Sequence, residues 1–229
     1  MPSISETVEL PTDPGSRTYR RADCVVFRKT REAFGGLSNM ATGYPLRVSG
    51  VSVLTSEALY QACRFPHLPE VQNIIIRQRS PMTAKMKSKP HRTRSREDWD
   101  FVRVAIMKWC LKVKLVQHWN TFGKLLLTTS DRPIVEQSRR DRFWGAVAEP
   151  NEDVLEGANV LGRLLMDIRD RLKKDPSEFG KVPPVPIPDF LLLGRPIEPV
   201  RRERALEHGI YEDLDGEEKL EQSVLLHWR

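Results

Sequence analysis

The stretch Gly157-Ala158-Asn159-Val160-Leu161-Gly162-Arg163-Leu164-Leu165-Met166, continuing through Ile168 to Leu172, decides how this chain folds. Val160, Leu161, Leu164, Leu165, Ile168 and Leu172 recur at helical spacing, which predicts an amphipathic helix from about Asn159 to Leu172 with one face in the core. Asn159 stands at its start, where a short polar side chain caps free backbone N–H groups or presents an amide to a ligand. Just upstream come Glu136, Asp141 and the run Phe143-Trp144-Gly145. Carboxylates and an indole leading into a buried helix read as a site carried on a core, although Trp144 alone would read as an ordinary core aromatic.

Working outward, 229 residues suffice for one substantial core with appendages. Lys and Arg number 37 against 31 Asp and Glu, a net charge of +6, which suits a phosphate-rich partner. Cys24, Cys63 and Cys110 lack the pairing or CxxC spacing of a disulfide framework or zinc site. The five histidines lack ligand spacing, so neither metal nor cofactor is expected. With no apolar signal segment or membrane span legible, the expectation is a cytoplasmic protein with no membrane partner.

The expected class is α+β, mainly helical, with a small β-sheet or hairpin. Residues 1–20, with Pro2, Pro11, Pro14 and Gly15, read as a flexible leader. The domain is expected over 21–175, beginning with a strand at Cys24–Phe27. Pro45 to Val53 predicts a hairpin turning at Ser49-Gly50, and Thr55 or Ser56 caps a helix through Phe65. A further helix is expected from Pro69 to Arg79, broken at Ser80-Pro81. The longest runs from Arg96 to about Trp119, with Ser95 and Asp98 as a capping box and a stripe of Trp99, Val102, Ala105, Ile106, Trp109, Val113 and Val116. Phe122–Leu127 reads as a short helix and Ile134–Glu136 as a strand. Pro183, Pro184, Pro186 and Pro188 predict an extended surface linker, so 176–229 reads as linker and C-terminal extension, with one or two short helices after Arg201.

Four stretches carry candidate chemistry: Phe34-Gly35-Gly36-Leu37-Ser38-Asn39, Thr55-Ser56-Glu57 through Gln61-Ala62-Cys63-Arg64-Phe65, Ser80-Pro81-Met82-Thr83-Ala84-Lys85, and Glu136 to Met166 with Trp99 upstream. In this order, from about Phe27 to Leu172, they resemble the NADAR superfamily of YbiA-like proteins. The chain departs from that pattern at Ala58, where many relatives carry His, and at Arg64, where a Lys precedes the aromatic. The resemblance implies a single NADAR domain and an N-glycosidase acting on a ribosyl–nitrogen bond. Two substrate classes follow from it: ADP-ribose attached to guanine in DNA, the province of antitoxins partnered with a DarT-type toxin, and phosphorylated ribosylamino-pyrimidine intermediates of riboflavin synthesis. A non-catalytic protein that binds ADP-ribose or a toxin is the competing class.

Breaking a ribosyl–nitrogen bond calls for a carboxylate near the anomeric carbon and a proton donor near the base. Glu57 is the first candidate, though a first-turn Glu also suits the helix dipole. Asp141 is the second, to position water or hold ribose hydroxyls; a turn-forming Asp bonded to backbone amides would look the same. Glu136 joins them, or else pairs with a neighbouring arginine. Gly35 and Gly36 let backbone approach a ligand, with Leu37, Ser38 and Asn39 beside it. Trp99 and Trp144 are candidates for bracketing a base, and Gly145 and Asn159 complete the expected substrate contacts. Lys85 is a candidate to contact phosphate or form an imine with an opened sugar. It begins a basic run, Lys87, Lys89, Arg92 and Arg94, expected to bind nucleic acid, against the reading of a solvated loop.

Overall fold

In the computed structural model, which describes residues 15–150 and 153–202, the decisive helix spans Val160–Lys174 (α6) and rests on a five-stranded sheet. The strands are β1 (Arg17–Arg20), β2 (Val25–Phe27), β5 (Ile134–Ser138), β6 (Ala146–Ala148) and β7 (Val154–Gly157), in the order β1-β7-β6-β5-β2. Pairing is antiparallel from β1 through β7 to β6 and parallel from β6 through β5 to β2. Two close approaches require glycine. A Cβ on Gly162 would strike the Ile134 carbonyl, and one on Gly145 would strike that of Glu136. Helix α6 therefore lies directly on β5.

The other helices are α1 (Ser56–Ala62), α2 (Pro69–Ile76), α3 (Pro81–Ser88), α4 (Trp99–Gln117) and α5 (Lys124–Leu127). Thr55 caps α1 by accepting from Ala58 N at 3.2 Å. All seven residues of α1 are buried, so this helix brings the polar side chains of Ser56, Glu57 and Gln61 inside with it. The hairpin β3 (Leu46–Val48) and β4 (Val51–Val53) forms in the expected register. Its turn residues Ser49 and Gly50 both have positive φ, 48° and 80°, as the favoured two-residue turn requires.

The structure departs from expectation in four places. Residues 17–20, read as leader, form β1, because Tyr19 packs with Cys24, Val135, Ala146 and Leu155 in a small second core. Helix α4 begins at Trp99 rather than Arg96. No capping box forms, since the Asp98 carboxylate is drawn to the buried Arg96 guanidinium at 2.9 Å. Ser80-Pro81 interrupts the chain as expected but also starts a helix. Ser80 Oγ accepts from Thr83 N and Pro81 takes the first helical position, so the basic run lies on α3 and on 3-10 turns over Lys89–Arg94.

The fourth departure is the proline-rich segment. It is extended, with short pairs β8 (Lys181–Val182) to β11 (Val200–Arg201) and β9 (Leu191–Leu192) to β10 (Arg195–Pro196). It is no loose linker, however: Phe179, Val182, Phe190, Leu192, Ile197 and Val200 all enter the main core. Phe190 meets Trp109 edge-on at 4.9 Å, and the buried Gln72 amide bonds the backbone of Leu191 and Leu193. The helices expected after Arg201 fall on residues 203–229, outside those described.

Candidate functional site

A cavity of about 660 Å³ opens where α1, α3, α4 and the end of β5 converge. Helix α1 supplies one face. Glu57, Tyr60 and Gln61, with Arg64 in the turn that follows the helix, are spaced i, i+3, i+4 and i+7 and all line the cavity. Glu57 is only 5% exposed, and both its oxygens are occupied: Asn39 Nδ2 donates to Oε2 at 2.7 Å and Gln61 Nε2 to Oε1 at 2.8 Å. Gln61 in turn accepts from Ser88 Oγ at 2.7 Å, tying α1 to α3. Glu57 is thus fixed as an acceptor, its carboxylate aimed by two neutral amides.

Glu136 is different in kind. It leaves β5 partly buried, and burial, followed by the charges of Asp141 and Glu57, pushes its pKa up to about 7, with Lys85 opposing. Near neutrality it therefore carries an exchangeable proton. Asp141 also lines the cavity, but its Oδ1 accepts from the backbone N–H groups of Phe143 and Trp144, each at 2.9 Å. That is the geometry of a turn-forming Asp.

An aromatic wall stands beside the carboxylates. Tyr60 lies between Trp99 (ring centres 5.1 Å apart) and Trp144 (5.8 Å), and Trp144 meets Phe143 at 5.0 Å. Two guanidiniums cover its ends, Arg64 over Trp99 at 4.4 Å and Arg103 over Phe143 at 3.9 Å. Burial and the adjacent Glu57 hold the Tyr60 phenol well above its usual pKa. Around the carboxylates the lining carries Arg28, Lys29, Arg64, Lys85, Arg92, Arg103 and Arg139, seven cations against three acids. Such an excess favours a ligand with several negative charges.

Of the residues expected from sequence, Asn39, Glu57, Lys85, Arg92, Trp99, Glu136, Asp141 and Trp144 meet in this cavity. Others lie elsewhere. Gly35 is packed against the backbone of Lys29 and Thr30, and Gly36 against Tyr44 and Leu125, so these glycines serve a tight turn. Leu37 and Ser38 are buried, with Ser38 Oγ accepting from Met40 N at 3.1 Å. Gly145 serves the approach to β5. Asn159, wholly buried with φ 47°, makes no side-chain cap. Its Oδ1 accepts from Glu136 N at 3.1 Å and its Nδ2 donates to Ile134 O at 2.8 Å. Lys87, Lys89 and Arg94 lie outside the lining, and Arg94 faces Glu70 at 3.8 Å.

Tyr60, Gln61, Arg64, Arg103, Met107 and Phe143 were not singled out as site residues, yet a signal existed for most of them. Trp99, Arg103 and Met107 are spaced i, i+4 and i+8 on α4, as Glu57, Tyr60 and Gln61 are spaced i, i+3 and i+4 on α1. Among the described residues no group of three or more His, Cys, Asp or Glu is arranged to hold a metal ion, and no helix is long and apolar enough to cross a membrane. The three cysteines are free and buried.

Comparison with known proteins gives the family. The NADAR domain model matches residues 26–173. The chain is 32% identical over 146 residues to N-glycosidase YbiA of Escherichia coli, covering 64% of this chain and 86% of that one. It is 31% identical over 152 residues to a riboflavin biosynthesis protein of Vibrio vulnificus, covering 66% of this chain and 39% of the relative. The NMR structure of E. coli YbiA superposes with a TM-score of 0.57 at 30% identity, covering 69% of this chain and 94% of that one. The fold is α+β, and this chain belongs to the NADAR family, with YbiA-like N-glycosidases among its relatives.

Proposed function

We propose that this protein is an N-glycosidase that removes ADP-ribose from guanine in DNA, in the manner of an antitoxin to a DarT-type ADP-ribosyltransferase. The observation that carries this reading is the pairing, in one cavity, of an acceptor carboxylate at Glu57 with a proton-bearing Glu136, amid seven cations and an aromatic wall. The bond between the ribose anomeric carbon and nitrogen breaks with its electron pair leaving on nitrogen. Glu136 gives its proton to that leaving group. Glu57 faces the positive charge that develops on the sugar and accepts a proton from the water that adds to the anomeric carbon. Asp141 fixes the turn that presents Trp144, and its remaining oxygen faces ribose hydroxyls or the attacking water.

The cationic lining supports a pyrophosphate-bearing substrate, and the Tyr60, Trp99 and Trp144 rings suit a flat base, with stacking contributing about 1–3 kcal/mol per base. Lys85, on α3 at the cavity, contacts phosphate in this reading. Lys87, Lys89 and Arg94, outside the cavity, extend the positive surface for DNA. Imine formation between Lys85 and an opened sugar is a lesser role in this reading, and borohydride reduction with substrate present tests it by a mass adduct on the Lys85 peptide.

A second reading draws support from the riboflavin biosynthesis protein among the relatives: hydrolysis of a phosphorylated ribosylamino-pyrimidine. A single assay separates the two. The protein is incubated with an oligonucleotide carrying ADP-ribosylated guanine, and free ADP-ribose is followed in 50 mM and 200 mM salt. Release that slows with salt is expected for a DNA substrate. No release, together with cleavage of the phosphorylated pyrimidine riboside, overturns the DNA reading.

A further inference from the structure

Lys114, in the last turn of α4, has 0% of its surface exposed. Its ammonium donates to two backbone carbonyls, Gly36 O at 2.7 Å and Ser38 O at 3.1 Å. It lies 4.2 Å from the centre of the Tyr44 ring and 4.4 Å from that of Phe122. Carbonyl dipoles and ring faces, rather than a carboxylate, offset its loss of water, and burial brings its pKa down to about 7. So costly a group in a core calls for a use. The loop it grips ends, one residue after Ser38, in Asn39, whose amide holds Glu57 Oε2 at 2.7 Å.

We propose that Lys114 is a positioning residue for the Glu57 carboxylate, acting from behind the site by fixing the backbone on either side of Leu37 and, through it, the amide of Asn39. This rests on the reading of Glu57 as catalytic. Gly36 fits the same account: a side chain there would collide with the Tyr44 hydroxyl and with Leu125, moving the carbonyl that Lys114 grips. The clamp does not depend on the ammonium charge alone. A neutral amine retains two N–H groups, enough for both carbonyls. The site and the clamp are separate layers, since Lys114 does not line the cavity.

The test is a double-mutant cycle between Lys114→Met and Asn39→Ala, with steady-state kinetics and side-chain amide NMR. Lys114→Met is expected to lower kcat about 10- to 100-fold with KM within twofold, and to cost less than twofold further once Asn39 is already Ala. Independently of any substrate, it is expected to shift or broaden the Asn39 Nδ2 signals. Additive effects on kcat, a rise in KM alone, or an unmoved Asn39 signal would overturn the proposal. Tyr44→Leu removes one ring from the ammonium and leaves the lysine in place; the same non-additivity is expected of it, which keeps the test open should Lys114→Met fail to fold. Glu57→Gln is the control: full activity there removes the reading beneath the proposal, whereas an inactive Glu57→Gln with additive Lys114 and Asn39 effects removes the clamp alone.

Discussion

The backbone N–H of Glu136 is held by Asn159 Oδ1 at 3.1 Å, while Asn159 Nδ2 reaches Ile134 O at 2.8 Å. One side-chain amide thus stands in for a strand neighbour along β5, directly behind the carboxylate proposed to donate a proton. Asn159→Ala orphans both backbone groups, at about 1–3 kcal/mol each when buried, so a stability loss of about 2–6 kcal/mol is expected. Asn159→Asp, which sets a carboxylate oxygen against Ile134 O, is expected to lose at least as much. Chemical denaturation measures both.

Glu136 governs the pH dependence. Its folded pKa of about 7 lies above the ordinary carboxylate value, so the folded state binds more protons than the unfolded one between these limits. Stability from this group is therefore full below about pH 4, and falls as pH rises through 7. Glu136→Gln, neutral throughout, is expected to be more stable than the parent at pH 8, by on the order of 1–3 kcal/mol, and little different at pH 4. The same substitution is expected to lower kcat, so melting curves and rates at two pH values separate the effects.

For turnover, the parent is expected to lose activity with an apparent pKa near 7 as Glu136 deprotonates. Asp141→Asn removes a neighbouring negative charge that raises Glu136, so the fall in its pH–rate profile is expected to move to lower pH. An unmoved profile would separate Asp141 from the proton donor.

Glu57→Gln tests the acceptor carboxylate. It exchanges one acceptor oxygen for a donor facing the amide of Asn39 or Gln61, a mismatch that rotation of the Asn39 amide can relieve. The fold is expected to persist, by circular dichroism, with kcat reduced by about 10²–10⁴.

Arg64 lies over Trp99 at 4.4 Å and is shared between the aromatic wall and the cationic lining. Arg64→Met is expected to raise KM for a phosphorylated substrate about tenfold, close to the 1.4 kcal/mol that a charged contact contributes, with a smaller change in kcat. Steady-state rates at fixed ionic strength check it.

Local patterns in the sequence foretell the elements they themselves specify. The period of Val160 to Leu172, the Ser49-Gly50 turn and the Thr55 cap each belong to a few adjacent residues, and each forms as read. The strands β1, β6 and β7 are short, and β1 acquires its partner β7 from the far end of the domain, which leaves little periodicity to detect. At the site the residue types Glu57, Asp141, Trp99 and Trp144 were legible. What a loop glycine or an asparagine does was not. Gly35 and Asn159 have the same chemistry whether they face a ligand or a neighbouring backbone, and only the packing of β5 and α6 decides between these. Lys114 lies beside the apolar stripe of α4, and a cation at a core-facing position makes sense only once the carbonyls of Gly36 and Ser38 are placed against it.

The proline-rich segment over 176–202 changes where a usable fragment of this protein ends. An expression clone cut at residue 173, the last position of the family match, would strip Phe179, Val182, Phe190 and Leu192 from the helices they cover and bare the indole of Trp109 to water. Such a product is prone to self-association, while one extended to Arg202 retains its own seal.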